Sequence, residues 1–167
     1  MISGLLKFCA CLTVALSLGG CSTLQGVLVP VAATAPGASQ VDMLVATTRD
    51  LAAPPDMFSG DRGRELSFAN ITVSIPPDSA RQVGEVQWPS RVPGDPAREF
   101  VTLKADVIDR KQALAWFNRA VARVPKRRVL VFIHGFNNPF DDAVSRFAQI
   151  VHDSHAPVVP VLFTWPS

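Results

Sequence analysis

The residues best suited to chemistry lie in one short segment, residues 129–138, which reads VLVFIHGFNN. An apolar run ends there in His134, Gly135 and Phe136. A strand that stops at His-Gly can turn tightly, because glycine has no side chain to clash in the bend. We expect the backbone N–H groups just past the turn to point into the space above a sheet. In an acyl-transfer enzyme, donors at this place hold the developing oxyanion.

The elements around this turn form a strand–helix–strand unit. Residues 129–133 are all apolar, which predicts a strand that is covered on both faces, as in a parallel sheet. Asn138 is the expected cap of a helix with Pro139 at its first position, and an apolar stripe continues through residues 140–151. Residues 158–163 predict the next strand. Together they make a βαβ unit, which we expect to be right-handed.

The residues before this unit predict more strands and a second helix. Alternating or apolar patterns indicate four strands, at residues 41–47, 70–75, 83–88 and 100–107. Asp109 is a plausible N-cap for a helix over residues 110–124, which Pro125 ends. Residues 60–63 (GDRG) are expected to form a turn. This alternation predicts an α/β fold with a mainly parallel sheet and helices on both faces.

Composition narrows the functional classes. The chain has 167 residues, 48% of them hydrophobic and 18% charged, which suggests one domain with a buried core. Sixteen basic and fourteen acidic residues give a net charge of +2, so no nucleic-acid partner is expected. We find no phosphate loop, dinucleotide pattern or metal-ligand spacing, and we expect neither a cofactor nor a metal ion.

The N-terminal residues are typical of an export signal. Lys7 supplies a positive charge before an apolar run at residues 8–18. A membrane-spanning helix needs about 20 apolar residues, so this run is too short to be one. Residues 18–21 (LGGC) then resemble the lipobox of bacterial lipoproteins. This resemblance implies that residues 1–20 are a signal peptide and that Cys21 carries lipid. An ordinary secretory signal with an incidental cysteine is the alternative.

The lipobox resemblance also implies a location. Ser22 stands where an aspartate usually marks retention in the inner membrane, so we expect an outer-membrane lipoprotein that faces the periplasm. The partner there is membrane lipid, held through several acyl chains on Cys21. Residues 21–40 are rich in small residues and have no charge, which predicts a flexible tether. The folded domain is then residues 41–167.

The folded part resembles a known family. Residues 129–167 look like the alpha/beta hydrolase fold and, more closely, the bacterial esterase/lipase-like family of unknown function called DUF900. The segments that carry the resemblance are MLVATTRD (43–50), FANITVSIPP (68–77), VLVFIHGFNN (129–138), VSRFAQIVHDS (144–154) and VPVLFTWPS (159–167).

This resemblance implies roles for two residues of the turn. The backbone N–H of Phe136 is the oxyanion donor, and Gly135 permits the approach; loss of one such donor typically costs about 3 kcal/mol in the barrier. Because the donor is a main-chain group, Phe136→Ala need not abolish it, and a Gly135 replacement should do more harm. His134 is expected to be a structural residue, since the base of this fold comes late in the chain.

The chain departs from the family at the nucleophile. The fold carries its serine in a Gly-x-Ser-x-Gly elbow, which the 167 residues do not contain. Ser167 has no base nearby in sequence, and His152 and His155 cannot be assigned to a triad. We therefore expect a domain that stops before the elbow, with residues 158–163 as a sticky edge strand and marginal stability for residues 41–167 alone.

Three accounts fit this pattern. The chain is the N-terminal fragment of a lipid-anchored serine hydrolase, itself inactive, which would act on an acyl-ester substrate once the domain is completed. Alternatively, it is a non-catalytic, membrane-anchored module for binding or scaffolding. In the third account, a separate polypeptide supplies the remaining sheet and the triad.

Overall fold

The computed structural model describes residues 27–167, so the predicted signal peptide (1–20) and Cys21 lie outside the described residues. Five strands and two α-helices follow one another along the chain. In order they are β1 (Ser39–Leu51), β2 (Phe58–Ile75), β3 (Val101–Ile108), α1 (Arg110–Arg123), β4 (Val129–Ile133), α2 (Phe140–Asp153) and β5 (Val159–Thr164). None of the helices in this part of the chain has both the length and the apolar composition of a membrane span.

The strands form one mixed sheet in the order β3-β2-β1-β5-β4. β1 and β2 pair antiparallel, as do β2 and β3, whereas β5 lies parallel to both β1 and β4. The α/β class is confirmed, but only the βαβ half of the sheet is parallel. A short link such as that between β1 and β2 joins antiparallel strands, and a parallel pair needs a crossover such as α2.

The prediction of an edge strand at residues 158–163 was wrong. The crossover through α2 inserts β5 between β1 and β4, so β5 has a strand on each side. β4 is the strand at that end of the described sheet. Its outer face is open too: Val129, Val131 and Ile133 are 40%, 54% and 61% exposed. The expectation that β4 is covered on both faces was therefore also wrong, because α2 covers only the other face.

The main core lies between α2 and the sheet. Phe147 and Val144 of α2 are fully buried against strand residues such as Met43 and Leu162. On β4, Phe132 stacks on Phe147 with ring centroids 5.5 Å apart. The apolar stripe of α2 therefore packs as its spacing predicts.

The helix starts were predicted to within one residue. Asp109 caps α1 as expected: its Oδ1 accepts the Gln112 N–H at 2.7 Å, and the Gln112 Oε1 accepts the Asp109 N–H at 2.9 Å. α2 begins at Phe140 with Pro139 as its N-cap, one residue later than the sequence suggests, and no side chain caps it.

Two short segments differ from their predictions. Residues 60–63 lie within β2 and do not form a turn, because β2 continues to pair with β1 through two register shifts. At this place a Cβ on Gly63 would lie 2.9 Å from the Arg49 carbonyl oxygen, so only glycine fits without movement. Residues 83–88 form no strand, since Gly84 has a φ of 85° and interrupts the extended run.

The described part of the predicted tether, residues 27–40, lies against the domain. Leu28 is buried in the core, Thr102 donates its hydroxyl to the Val27 carbonyl at 3.1 Å, and the Val31 N–H bonds to the Thr102 carbonyl at 2.8 Å. The many small residues in this segment gave no sign of these contacts with the domain. The division of the chain at residues 20 and 40 stays a prediction.

Candidate functional site

The histidine at the end of β4 is a structural residue. His134 is buried, and its Nε2 accepts the Trp165 backbone N–H at 3.2 Å. The proton therefore belongs on Nδ1, which lies 2.7 Å from the Gly135 carbonyl and donates to it. The ring also stacks on Trp165 with centroids 5.6 Å apart. Both nitrogens are engaged, so His134 has no lone pair left to act as a base.

The turn itself presents a free donor. Phe136 is 85% exposed, and no described residue accepts its backbone N–H. The left-handed conformation that the bend requires falls on Asn137, with a φ of 52°, and not on Gly135. Asparagine tolerates that region better than most residues. The chain bends at Phe136 and Asn137, just after the predicted position at Gly135.

Gly135 faces open space. A Cβ at this position would meet no described heavy atom within 4 Å. No described residue therefore blocks a Cβ at this position. The oxyanion roles of Gly135 and Phe136 stay predictions.

Asn138 is fixed by both of its backbone groups. Its N–H donates to the Ser167 Oγ at 3.2 Å, and its carbonyl accepts the Arg49 Nη2 at 2.6 Å. Ser167 thus serves as a hydrogen-bond acceptor for the turn. Sequence reasoning missed Arg49, although a charged residue at the end of the apolar strand in VATTRD was a signal that could have revealed it.

A buried pair of threonines joins the strand ends beside the turn. Thr164 of β5 donates its hydroxyl to the Thr47 Oγ1 of β1 at 2.6 Å. The same Thr47 oxygen accepts the Arg49 backbone N–H at 3.0 Å. Because both threonines are fully buried, this bond ties β1 to β5 directly below the site.

A cavity of about 370 Å³ opens next to the turn. Its volume lies within the range of small-molecule pockets. Among the described residues, its walls come from residues 27 and 28, the turn, the start of α2, the β1–β2 hairpin and Ser167. The polar residues among them are Arg49, Asp56, Ser59, Asn137, Asn138, Asp141 and Ser167.

Burial shapes the electrostatics of this cavity. The pKa of Arg49 is lowered by burial, with the charge of Asp141 acting against that shift. Burial also raises the pKa of Asp141, while backbone N–H groups at the start of α2 partly oppose this effect. The cavity therefore contains a buried cation and a carboxylate whose ionisation is costly.

The substitution Asp141→Asn tests how much the ionised Asp141 carboxylate destabilises the fold. The folded pKa of Asp141 lies above its ordinary value of 3.8, so its ionisation lowers stability as the pH rises through the folded pKa. We expect the variant to raise the free energy of unfolding at pH 7 by up to about 1 kcal/mol after solvent screening. Urea unfolding should show this gain disappear below pH 3.8. The exposed Asp50→Asn is the control, and an equal gain in both would contradict the cause.

The other histidines lie at the opposite end of α2. His152 and His155 have ring centroids 6.0 Å apart, and the His152 Nε2 lies 3.3 Å from Asp78. Neither histidine lines the cavity. The structure therefore does not place His152 or His155 in the cavity with Ser167.

Comparison with known protein families gives a match in the C-terminal part of the chain. Residues 109–167 match the model of a family described as alpha/beta hydrolase of unknown function (DUF900). The matched residues run from the cap of α1 through β4, the turn and α2 to the end of β5. No curated protein and no solved structure gives a significant match. The segment that builds the turn, residues 109–167, is therefore similar to the DUF900 family of alpha/beta hydrolases.

Proposed function

We propose that this domain provides the oxyanion-binding half of a site that hydrolyses a carboxylic ester or a related acyl bond. The observation that carries the proposal is the Phe136 N–H, which has no acceptor among the described residues and lies at the carboxyl end of β4. The cavity lined by the next two residues, Asn137 and Asn138, has room for a small acyl group. A backbone donor at this place would stabilise charge that develops in the transition state.

The nucleophile belongs to polypeptide outside these 167 residues in this proposal, so the chain alone is inactive. The outer side of β4 supports that arrangement, because no described strand pairs with it. A strand added parallel to β4 would end beside Phe136, where an elbow serine could attack a carbonyl held by the turn. DNA past the Ser167 codon should then encode Gly-x-Ser-x-Gly, and a stop codon there with no elbow in any frame would contradict this.

The location is proposed on the lipobox resemblance. Cys21 would carry the lipid and hold the domain on the periplasmic face of the outer membrane. A palmitate analogue should label the wild-type chain and not Cys21→Ser. Equal labelling of both would reject the anchor without affecting the hydrolase proposal.

A second candidate is a non-catalytic, anchored binding module. The cavity favours it, because such a pocket could bind a small molecule without a nucleophile. This candidate requires no serine elbow downstream, and the DNA past Ser167 therefore separates the two.

The donor itself is tested with methylphosphonate, a small oxyanion that imitates the tetrahedral intermediate. Its binding to the full chain should shift the amide resonances of Gly135, Phe136 and Asn137. Phe136→Ala keeps the N–H and should retain the affinity. Phe136→Pro removes the N–H and should raise the Kd by about tenfold or more, as expected for a hydrogen bond to a charged group.

Two results would count against the proposal. Equal Kd values for Phe136→Ala and Phe136→Pro would show that the N–H is not the donor. Release of p-nitrophenol from p-nitrophenyl butyrate above the buffer rate would show that the 167 residues already contain a nucleophile.

A further inference from the structure

We infer that Arg49 is the positioning residue of the oxyanion turn, and the inference rests on the proposed function. The Arg49 guanidinium spans the gap between the β1–β2 hairpin and the turn. Its Nη1 donates to the Ser59 carbonyl at 3.2 Å, and its Nη2 donates to the Asn138 carbonyl at 2.6 Å. Arg49 does not touch the reacting atoms and acts through the backbone of Asn138.

The environment makes this contact strong. Arg49 is only 3% exposed, so most of its side chain is shielded from water. A charged donor at this separation forms a stronger bond than a neutral one. Its two acceptors come from segments far apart in sequence, and the planar guanidinium presents two donors to them in a fixed geometry. A lysine has one side-chain nitrogen, which would have to donate to both carbonyls.

The backbone of Arg49 is itself held in place. Its N–H donates to the Thr47 Oγ1, which the buried Thr164 hydroxyl also contacts. Across the hairpin, Gly63 allows the β2 backbone to approach the Arg49 carbonyl, where a Cβ would lie at 2.9 Å. The guanidinium therefore extends from a fixed point in the sheet, and the position of Asn138 is set relative to β1.

The contacts that hold Asn138 also affect the position of the Phe136 N–H. Asn138 is held at its carbonyl by Arg49 and at its N–H by Ser167, and the left-handed Asn137 links it to Phe136. Release of the Asn138 carbonyl would leave the Ser167 contact as the one hydrogen bond from a described residue to the Asn138 backbone. The Phe136 N–H would then lose its fixed direction, and an oxyanion would be held less tightly.

Three variants of the full chain test the inference. Arg49→Met removes both donors and keeps the aliphatic part of the side chain, and Arg49→Lys keeps the charge. Arg62→Met is the matched control, because Arg62 lies opposite Arg49 in the β1–β2 register and is exposed. The measurements are amide hydrogen exchange at Asn138 and at Val45 in the centre of β1, and the Kd for methylphosphonate.

We expect Arg49→Met to speed exchange at Asn138 about tenfold relative to Val45 and to raise the Kd by a similar factor, as loss of a charged hydrogen bond implies. Arg49→Lys should restore part of both effects, and Arg62→Met should change neither. Equal acceleration at Asn138 and Val45 would reduce Arg49 to a general stabilising residue and overturn the inference. An unchanged Kd in Arg49→Met would overturn it as well. If the wild-type chain does not bind methylphosphonate at all, the proposed function fails, whereas the exchange data still report on the contact itself.

Discussion

Replacement of Phe147 by alanine should lower the free energy of unfolding by about 3–5 kcal/mol. Phe147 is fully buried in the layer between α2 and the sheet, and its ring stacks on Phe132 of β4. The substitution removes apolar contacts from both elements and leaves a cavity that close-packed neighbours cannot fill completely. Urea unfolding followed by circular dichroism measures the loss, either as a lower midpoint or as the absence of a cooperative transition.

Phe136→Ala is the control for this experiment, because it makes the same chemical change at an exposed position. Phe136 is 85% exposed, so its truncation should change the free energy of unfolding by no more than about 0.5 kcal/mol. Similar losses in the two variants would mean that α2 does not pack on the sheet through Phe147. The comparison also shows whether Phe136→Ala, which the ligand-binding test uses, folds normally.

The local elements were predictable because their signals are local. The stripe of α2 placed Phe147 in the core, and Asp109 with Gln112 supplied both bonds of the α1 cap. The order of the strands was not predictable in this way. An apolar run such as residues 129–133 fits a central strand and an edge strand equally, and only the pairing of β5 with β1 decides between them.

The same difference between local and long-range signals applies to the candidate site. His134, Gly135 and Phe136 were recognisable because they are consecutive and follow an apolar strand. Arg49 and Asn138 are 89 residues apart, and no local pattern reports a bond across that distance. The φ of Asn137 was equally hidden, since both glycine and asparagine accept a left-handed bend and the sequence HGFNN offers three such residues.

Arg81 is a second arginine whose role depends on distant residues. Its side chain is 1% exposed, and it forms ion pairs with Asp153 at the end of α2, at 2.5 Å, and with Asp78, at 3.1 Å. Asp153 also accepts the side-chain N–H of Gln149 and the backbone N–H of Gly84. This cluster attaches the loop after β2 to the far end of α2, away from the cavity.

The pKa values of both carboxylates in the cluster, Asp153 and Asp78, depend on these hydrogen-bond donors. Burial tends to raise the pKa of Asp153, but the hydrogen bonds from Gln149, Gly84 and Arg81 outweigh it and the net shift is downward. The hydrogen bonds from Arg81 and His152 lower the pKa of Asp78. A carboxylate with a lowered folded pKa stabilises the fold above its ordinary pKa, and this contribution is lost as the pH falls through the folded value.

Arg81→Met should therefore lower the free energy of unfolding at pH 7 by about 2–3 kcal/mol, the range expected when a buried donor to charged groups is lost. The difference from wild type should be complete at pH 7 and should shrink as the pH falls below 3.8, where Asp153 and Asp78 begin to take up protons. Arg98→Met removes an exposed arginine and should change stability by no more than about 0.5 kcal/mol at either pH. A loss in Arg81→Met that stays constant down to pH 2.5 would contradict this role, because the ion pairs would then contribute nothing that protonation removes.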